Sequence, residues 1–134
     1  MGIIFDSTEI IHLERNAGVI RELASSAGDE PFGISIITVS ELLHGIERAK
    51  TDAIRIKRQA FVESVFEHFP ILPFDMSAAR VHAKIWAHLE QKGDIIGAHD
   101  LIIAATAIAL DYEVVTSNLS DFTRVPGLKV RSVA

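Results

Sequence analysis

Ile3-Ile4-Phe5-Asp6-Ser7-Thr8 runs three apolar residues into an acid and two hydroxyls. A short apolar run of this kind reads as a strand buried on both faces, as in parallel sheets covered by helices on either side. Such sheets place their ligand crevice outside the carboxyl ends of the strands. The acid at the end of this strand, Asp6, therefore stands where an open α/β fold does its chemistry.

Outward from that stretch, strand and helix patterns alternate. Residues 7–14 read as a short helix, and residues 17–25 as a second one with Val19, Ile20 and Leu23 on one face. Gly28 to Pro31 breaks the chain, Gly33-Ile34-Ser35-Ile36-Ile37 reads as the second strand, and Thr38 opens a helix through Glu41 toward Lys50. Residues 52–69 form a long amphipathic pattern that Pro70 ends. Ile71 to Phe74 is a weak strand with an internal proline, and Asp75 or Ser77 caps a helix running to Lys92-Gly93 with Val81, Ile85, Trp86 and Leu89 as its buried stripe. His99 or Asp100 starts the most apolar helix, residues 101–112, which should lie against the sheet. Glu113 to Thr116 reads as a buried strand, Ser117 to Asp121 as a polar loop, and Leu128-Lys129-Val130 as an edge strand. Strands alternating with helices imply a three-layer α/β fold with a central parallel sheet of four to five strands and right-handed crossovers.

Length and composition narrow the function. The chain has 134 residues, one domain's worth, and its 49% hydrophobic content supports a single core. Its longest apolar run, Leu101 to Leu110, is half of what a bilayer span needs, and the N-terminus has no basic leader or cleavage site. The expected location is cytoplasmic, with no membrane contact. The absence of cysteine removes disulfides, thiolate zinc sites and cysteine nucleophiles, so any metal must sit on oxygen or imidazole. The formal net charge of −5 argues against indiscriminate nucleic-acid binding, although a local cluster or a bound cation can override the sum.

Placed on this architecture, Asp6 ends the first strand, Glu41 falls in the first turn after the second, Asp100 begins the helix before the fourth, and Asp121 lies just beyond the fourth. Strand carboxyl ends and crossover-helix amino ends share one edge of a parallel sheet, so all four acids converge there. Each alone has a plainer reading. Asp6-Ser7-Thr8-Glu9 and Thr38-Val39-Ser40-Glu41 fit the capping box, Asp100 could cap its helix or complement its dipole, and Asp121 could be an ordinary loop residue. Together they fit poorly without a cation, because two carboxylates ~5 Å apart repel by roughly 3 kcal/mol at an effective dielectric of ~20. An oxygen-only set of this kind suits Mg²⁺, with Mn²⁺ as an alternative ion, held partly by water and able to bridge to a phosphate. One ion or two remain equally compatible with the residues. Asp6 is expected within about a water-bridged distance of Glu41 and Asp100.

The motifs Phe5-Asp6-Ser7, Ser35-Ile36-Ile37-Thr38-Val39-Ser40-Glu41-Leu42-Leu43-His44-Gly45, Asp100-Leu101-Ile102-Ile103-Ala104-Ala105-Thr106-Ala107 and Thr116-Ser117-Asn118-Leu119-Ser120-Asp121-Phe122 follow one another along nearly the whole chain. In that order they resemble the PIN-domain ribonucleases, specifically the VapC toxins of type II toxin-antitoxin systems. The resemblance implies a single PIN domain over residues 1–134 and Mg²⁺-dependent endoribonuclease activity, a hydrolysis of RNA by metal-activated water. It implies Asp6, Glu41, Asp100 and Asp121 as the catalytic and metal-binding acids, with Thr116 and Asn118 arranging the site. It also implies a homodimer, a VapB-type antitoxin whose inserted basic side chain inhibits the site, and a larger toxin-antitoxin assembly. Two departures stand out: Ser7-Thr8 replaces the more usual Thr-Asn, and Ser117 leaves Asp121 as the sole acid of its loop.

Ser7 and Thr38 could orient metal waters or simply cap helices. The histidines form no HExxH pattern, and His99 draws notice only because it adjoins Asp100. Arg48, Lys50, Arg55, Lys57 and Arg58 make the densest basic stretch, which could track an RNA backbone or be a solvated helical face. Phe61, Val65, Phe66 and Phe69 read as core or dimer contact rather than a base-stacking platform. Two other readings are open: a degenerate PIN module that binds RNA or protein without cutting, and a phosphatase-like or receiver-like domain. The second lacks a DxD pattern and a suitable lysine.

Overall fold

A five-stranded parallel sheet of order β3-β2-β1-β4-β5 organises the molecule, a computed structural model that describes residues 1–15 and 20–132. Its strands are β1 (Gly2–Phe5), β2 (Phe32–Ser35), β3 (Ile71–Leu72), β4 (Tyr112–Thr116) and β5 (Lys129–Ser132). β1 is central, paired with β2 through Ile4↔Gly33 and with β4 through Ile4↔Val114, both parallel. The chain first builds the sheet on one side of β1, then crosses to the other. This reversal is the topological switch point at which open α/β sheets bind ligands.

Alternation along β1 sets the layers. Ile3 and Phe5 join one apolar cluster and Ile4 the other, so the strand is buried on both faces. The first layer holds α1 (Ser7–His12), α2 (Ile20–Ser25), α3 (Ile36–Glu47) and α4 (Asp52–His68), with Ile10, Val39, Leu42, Phe61, Val62 and Val65 facing the sheet. Phe69 packs edge-on against Phe5 at 5.6 Å and Phe32 at 5.9 Å, which assigns the aromatic stripe of α4 chiefly to the core. The opposite layer holds α5 (Met76–Lys92) and α6 (Ala98–Leu110), and the short α7 (Leu119–Phe122) adds Phe122 to its cluster. Ala104, Ala105 and Ala107 are fully buried, letting α6 approach closely as its apolar sequence requires.

Several boundaries differ from expectation for identifiable reasons. The second strand stops at Ser35 and the helix begins at Ile36 rather than Thr38. Ser35 is the N-cap, its Oγ accepting from the Ile37 N–H at 3.1 Å, and this bond overrides the strand preference of two isoleucines. Neither capping box forms. Thr38 lies inside α3, and the Asp6 N–H donates to the Val115 carbonyl at 3.0 Å instead of to Glu9. α6 starts at Ala98, capped by Gly97, so Asp100 is the third helical residue rather than the cap. The polar loop after β4 contains one turn of helix, α7. Trp86, expected in the buried stripe of α5, is 52% exposed, because Ala78, Ile85 and Leu89 form that stripe and Trp86 lies about 100° around the helix from Ile85. The amino-terminal part of the helix expected over residues 17–25, including Val19, lies outside the described residues.

Candidate active site

Asp6 leaves β1 with extended backbone and stands at the entrance of α1, 1% exposed. Its Oδ2 accepts a hydrogen bond from Thr116 Oγ1 at the end of β4, 2.8 Å away, and the same Thr116 oxygen accepts from the Asn118 N–H at 2.8 Å. Burial raises the Asp6 pKa above the ordinary carboxylate value, and the Glu9 charge adds to the rise. The Thr116 hydroxyl and the N–H groups of Ser7 and Thr8 oppose it.

The next residue ties in the second acid. Ser7 Oγ donates to Glu41 Oε1 at 2.8 Å and lies 2.7 Å from Thr38 Oγ1. Since the single Ser7 proton goes to Glu41, Thr38 must donate to Ser7, giving a directed chain Thr38 to Ser7 to Glu41. Ser7 and Thr38 are both buried, so this chain fixes α1 against α3 as well as aiming a carboxylate. His99 Nδ1 stands 3.5 Å from the same Glu41 oxygen.

Asp100, on the first turn of α6, has its pKa pushed up to about 6, first by burial and then by the charges of Asp6, Asp121 and Glu41. Its neighbour His99 pulls weakly the other way. The four acids named from the sequence thus sense one another at a single edge of the sheet. Asp121 is the one with a cationic partner, accepting from Arg124 Nη2 at 2.8 Å. Arg124 also donates to the carbonyls of Ser120 and Ile95, which fastens α7 to the loop ahead of α6. Asn118 immediately precedes α7 and its Oδ1 accepts from Ser120 Oγ at 3.3 Å.

A hard divalent cation fits this set in kind: the donors are oxygens, and the mutual charge that raises Asp100 is the charge a cation would relieve. Among the described residues, no three acidic or imidazole side chains are grouped closely enough to hold an ion on their own. The donors therefore match an ion that takes one or two carboxylates directly and keeps several waters, the habit of Mg²⁺.

Glu9 is the member that sequence reasoning missed, having been read only as half of a capping box. It is 9% exposed, and its Oε1 accepts from both the N–H (2.9 Å) and the hydroxyl (2.7 Å) of Ser117. The available signal was its spacing, three residues after Asp6 and so on the same helical face.

The basic stretch divides. Arg58 is engaged within the fold, donating to Glu14 at 3.0 Å and to the Gly45 carbonyl at 2.8 Å. Arg48 and Lys50 are exposed, and Arg55 is half-buried. Arg48 lines a groove of about 380 Å³ between α1, α3 and α4 that includes Ile11, Leu42, Phe61 and, at one end, Glu41 and His99. No helix among the described residues is long and apolar enough to cross a membrane.

The PIN domain family pattern matches residues 3–128. Ribonuclease VapC of Rickettsia bellii is 44% identical over 133 residues, covering 99% of this chain and 97% of that protein. Ribonuclease VapC1 of Rickettsia felis is 40% identical over 134 residues, covering 100% and 98%. Among solved structures, DNA-bound VapBC from Salmonella typhimurium superposes with a TM-score of 0.87 at 30% identity over 98% of each chain. VapBC2 from Rickettsia felis, bound to a promoter DNA fragment, gives 0.86 at 27% identity over 100% of each. The similarity runs over nearly the whole chain, and the chain belongs to the PIN-domain family, within its VapC group.

Proposed function

We propose that the chain is a divalent-metal-dependent endoribonuclease, the toxin of a type II toxin-antitoxin pair. The observation that carries the reading is the acidic edge itself, where burial first, and then the charges of Asp6, Asp121 and Glu41, push the pKa of Asp100 up to about 6. A protein with no use for a cation gains nothing from that repulsion. The ribonuclease names of full-length relatives support the activity, and the VapBC complexes among similar structures support a VapB-type antitoxin as partner.

Asp6 and Asp100 are the residues to hold the ion, with Glu41 and Asp121 contributing directly or through water. When bound, Mg²⁺ or Mn²⁺ supplies water activation and charge neutralisation for an in-line phosphodiester hydrolysis. The chain's own groups do the positioning. Thr116 holds the Asp6 carboxylate by its Oδ2, and Ser7, oriented by Thr38, holds Glu41 by its Oε1. Each acid thus has one oxygen fixed by a buried hydroxyl, which is the kind of support that preorganises a site. Arg48, Lys50 and Arg55 offer charge to the RNA backbone, whereas Arg58 is spent on Glu14 and Gly45.

The groove lined by α1, α3, α4 and His99 offers an antitoxin segment apolar contacts at Ile11, Leu42 and Phe61 beside Glu41, where an inserted basic side chain would meet the acidic edge. Homodimerisation and a cytoplasmic site of action complete the proposal. The test is cleavage of defined RNAs with Mg²⁺ by the wild type and by the Asp6→Asn, Asp100→Asn double variant. Loss of cleavage in the variant is expected, and equal cleavage overturns the assignment.

A second reading, a PIN module that binds RNA or protein without cutting, is favoured by one observation, the lack of any three acids at direct ligand spacing among the described residues. Calorimetric titration with Mg²⁺ separates the two: a folded protein that takes up no ion fits this second reading.

A further inference from the structure

We propose that Glu9 is a positioning residue of this active site, gripping the segment between β4 and α7 so that Asp121 is held in register with Asp6; the proposal rests on the nuclease reading above. Ser117 and Asn118 are exposed and bridge the end of β4 and the start of α7. They are fixed instead by two acids from the other end of the chain. Asp6 works through Thr116, which in turn accepts the Asn118 N–H. Glu9 works directly, one oxygen receiving both the N–H and the hydroxyl of Ser117.

Packing alone does not call for an acid at this position. Glu9 precedes Ile10, which is fully buried, and its charge pushes the Asp6 pKa upward, a cost to the fold. A buried carboxylate next to another acid is retained where its hydrogen bonds do something an apolar side chain cannot. Here they tie α1 to the loop carrying the fourth acid, and charge-assisted bonds of this kind are the stronger class. A second helical residue thus joins Asp6 in setting the spacing between β1 and the loop after β4. Without it the segment keeps, among the described residues, the Asn118 bond to Thr116, the Arg124 contacts at its far end and the burial of Phe122.

The distinguishing comparison is Glu9→Ala against Glu9→Gln, because glutamine keeps an acceptor oxygen and loses the charge. Steady-state cleavage of a defined RNA with Mg²⁺ is expected to show kcat reduced ~10- to 100-fold in Glu9→Ala with KM little changed. Glu9→Gln should recover to within about threefold of wild type, and adding Ser117→Ala to Glu9→Ala should cost nothing further. Hydrogen exchange at the Ser117 amide, read by NMR, should accelerate in Glu9→Ala and stay slow in Glu9→Gln. Wild-type kcat in Glu9→Ala, or an unchanged Ser117 amide, overturns the proposal. So does a Glu9→Gln as impaired as Glu9→Ala, since charge and not grip would then be what counts. If Glu9→Ala does not fold, Ser117→Pro takes its place, removing both the N–H and the hydroxyl that Glu9 receives, and an unchanged kcat there overturns the proposal. Should the wild type itself fail to cleave, the nuclease reading falls, while the amide-exchange comparison still decides whether Glu9 holds the loop.

Discussion

Thr116 Oγ1 donates to Asp6 Oδ2 at 2.8 Å, joining residues 110 positions apart in sequence at the point where the sheet reverses its direction of growth. The bond fixes one Asp6 oxygen and works against the burial that raises the Asp6 pKa. Thr116→Val keeps the shape and removes both this donor and the acceptor for the Asn118 N–H. The expected outcome is ~10- to 100-fold slower RNA cleavage. A loss of about 1–3 kcal/mol in chemical unfolding should accompany it, because a buried carboxylate and an amide lose their partner.

Asp100 gives a pH signature. Folded, it keeps its proton up to about pH 6, whereas the unfolded chain releases it near the ordinary aspartate value of 3.8, so the folded state binds more protons between those values. Stability of the metal-free protein from this group therefore falls as pH rises through that window, and the penalty is fully present above it. A shift of this size corresponds to about 3 kcal/mol at most, reduced to ~1–2 kcal/mol by solvent at a partly exposed site. Asp100→Asn should accordingly raise the Tm of the protein in EDTA at about pH 8 and leave it nearly unchanged at about pH 4. Mg²⁺ should raise the Tm of the wild type more than that of the variant at the higher pH.

Asp121 is paired with a guanidinium, that of Arg124, at 2.8 Å. Asp121→Asn is expected to slow cleavage about 10-fold, less than Asp6→Asn at about 100-fold or more. Arg124→Ala should tighten Mg²⁺ binding by calorimetry, since it frees that carboxylate. Unchanged affinity would mean that Asp121 takes no part.

Among the arginines, Arg58 and Arg48 should separate by measurement. Arg58→Ala leaves Glu14 and the Gly45 carbonyl without their donor, so it should lower stability by about 1–2 kcal/mol with no change in the salt dependence of RNA binding. Arg48→Ala should do the reverse, weakening RNA binding and reducing the slope of affinity against salt by about one.

Much of this was legible from periodicity and spacing. The apolar run before Asp6, the mainly apolar helix that is buried over most of Leu101 to Ala107, and the alternation of strand and helix lead to the three-layer parallel sheet observed. What was not legible depended on a competing local bond or on direction around a helix. Ile36 and Ile37 look like strand, yet the Ser35 cap turns them into helix. Trp86 has the hydrophobicity of a core residue and the angular position of a flanking one, beside His82 on a cavity of about 590 Å³. Glu9 was hidden by a capping pattern that real strand pairing pre-empts, because the Asp6 N–H is already taken by Val115. A propensity argument sees each of these residues alone, whereas tertiary partners decide them.

The central place of β1 also governs when the protein can act. The pairing of β1 with β4, residues 112–116, is what brings Asp6 to Thr116, and α7 with Asp121 lies beyond β4 in the chain. A chain emerging from the ribosome amino end first therefore carries Asp6 and Glu41 long before it carries a complete acidic edge. Non-local parallel pairing of this kind closes late in folding. The acidic edge is thus complete only once residues 100–121 have joined it.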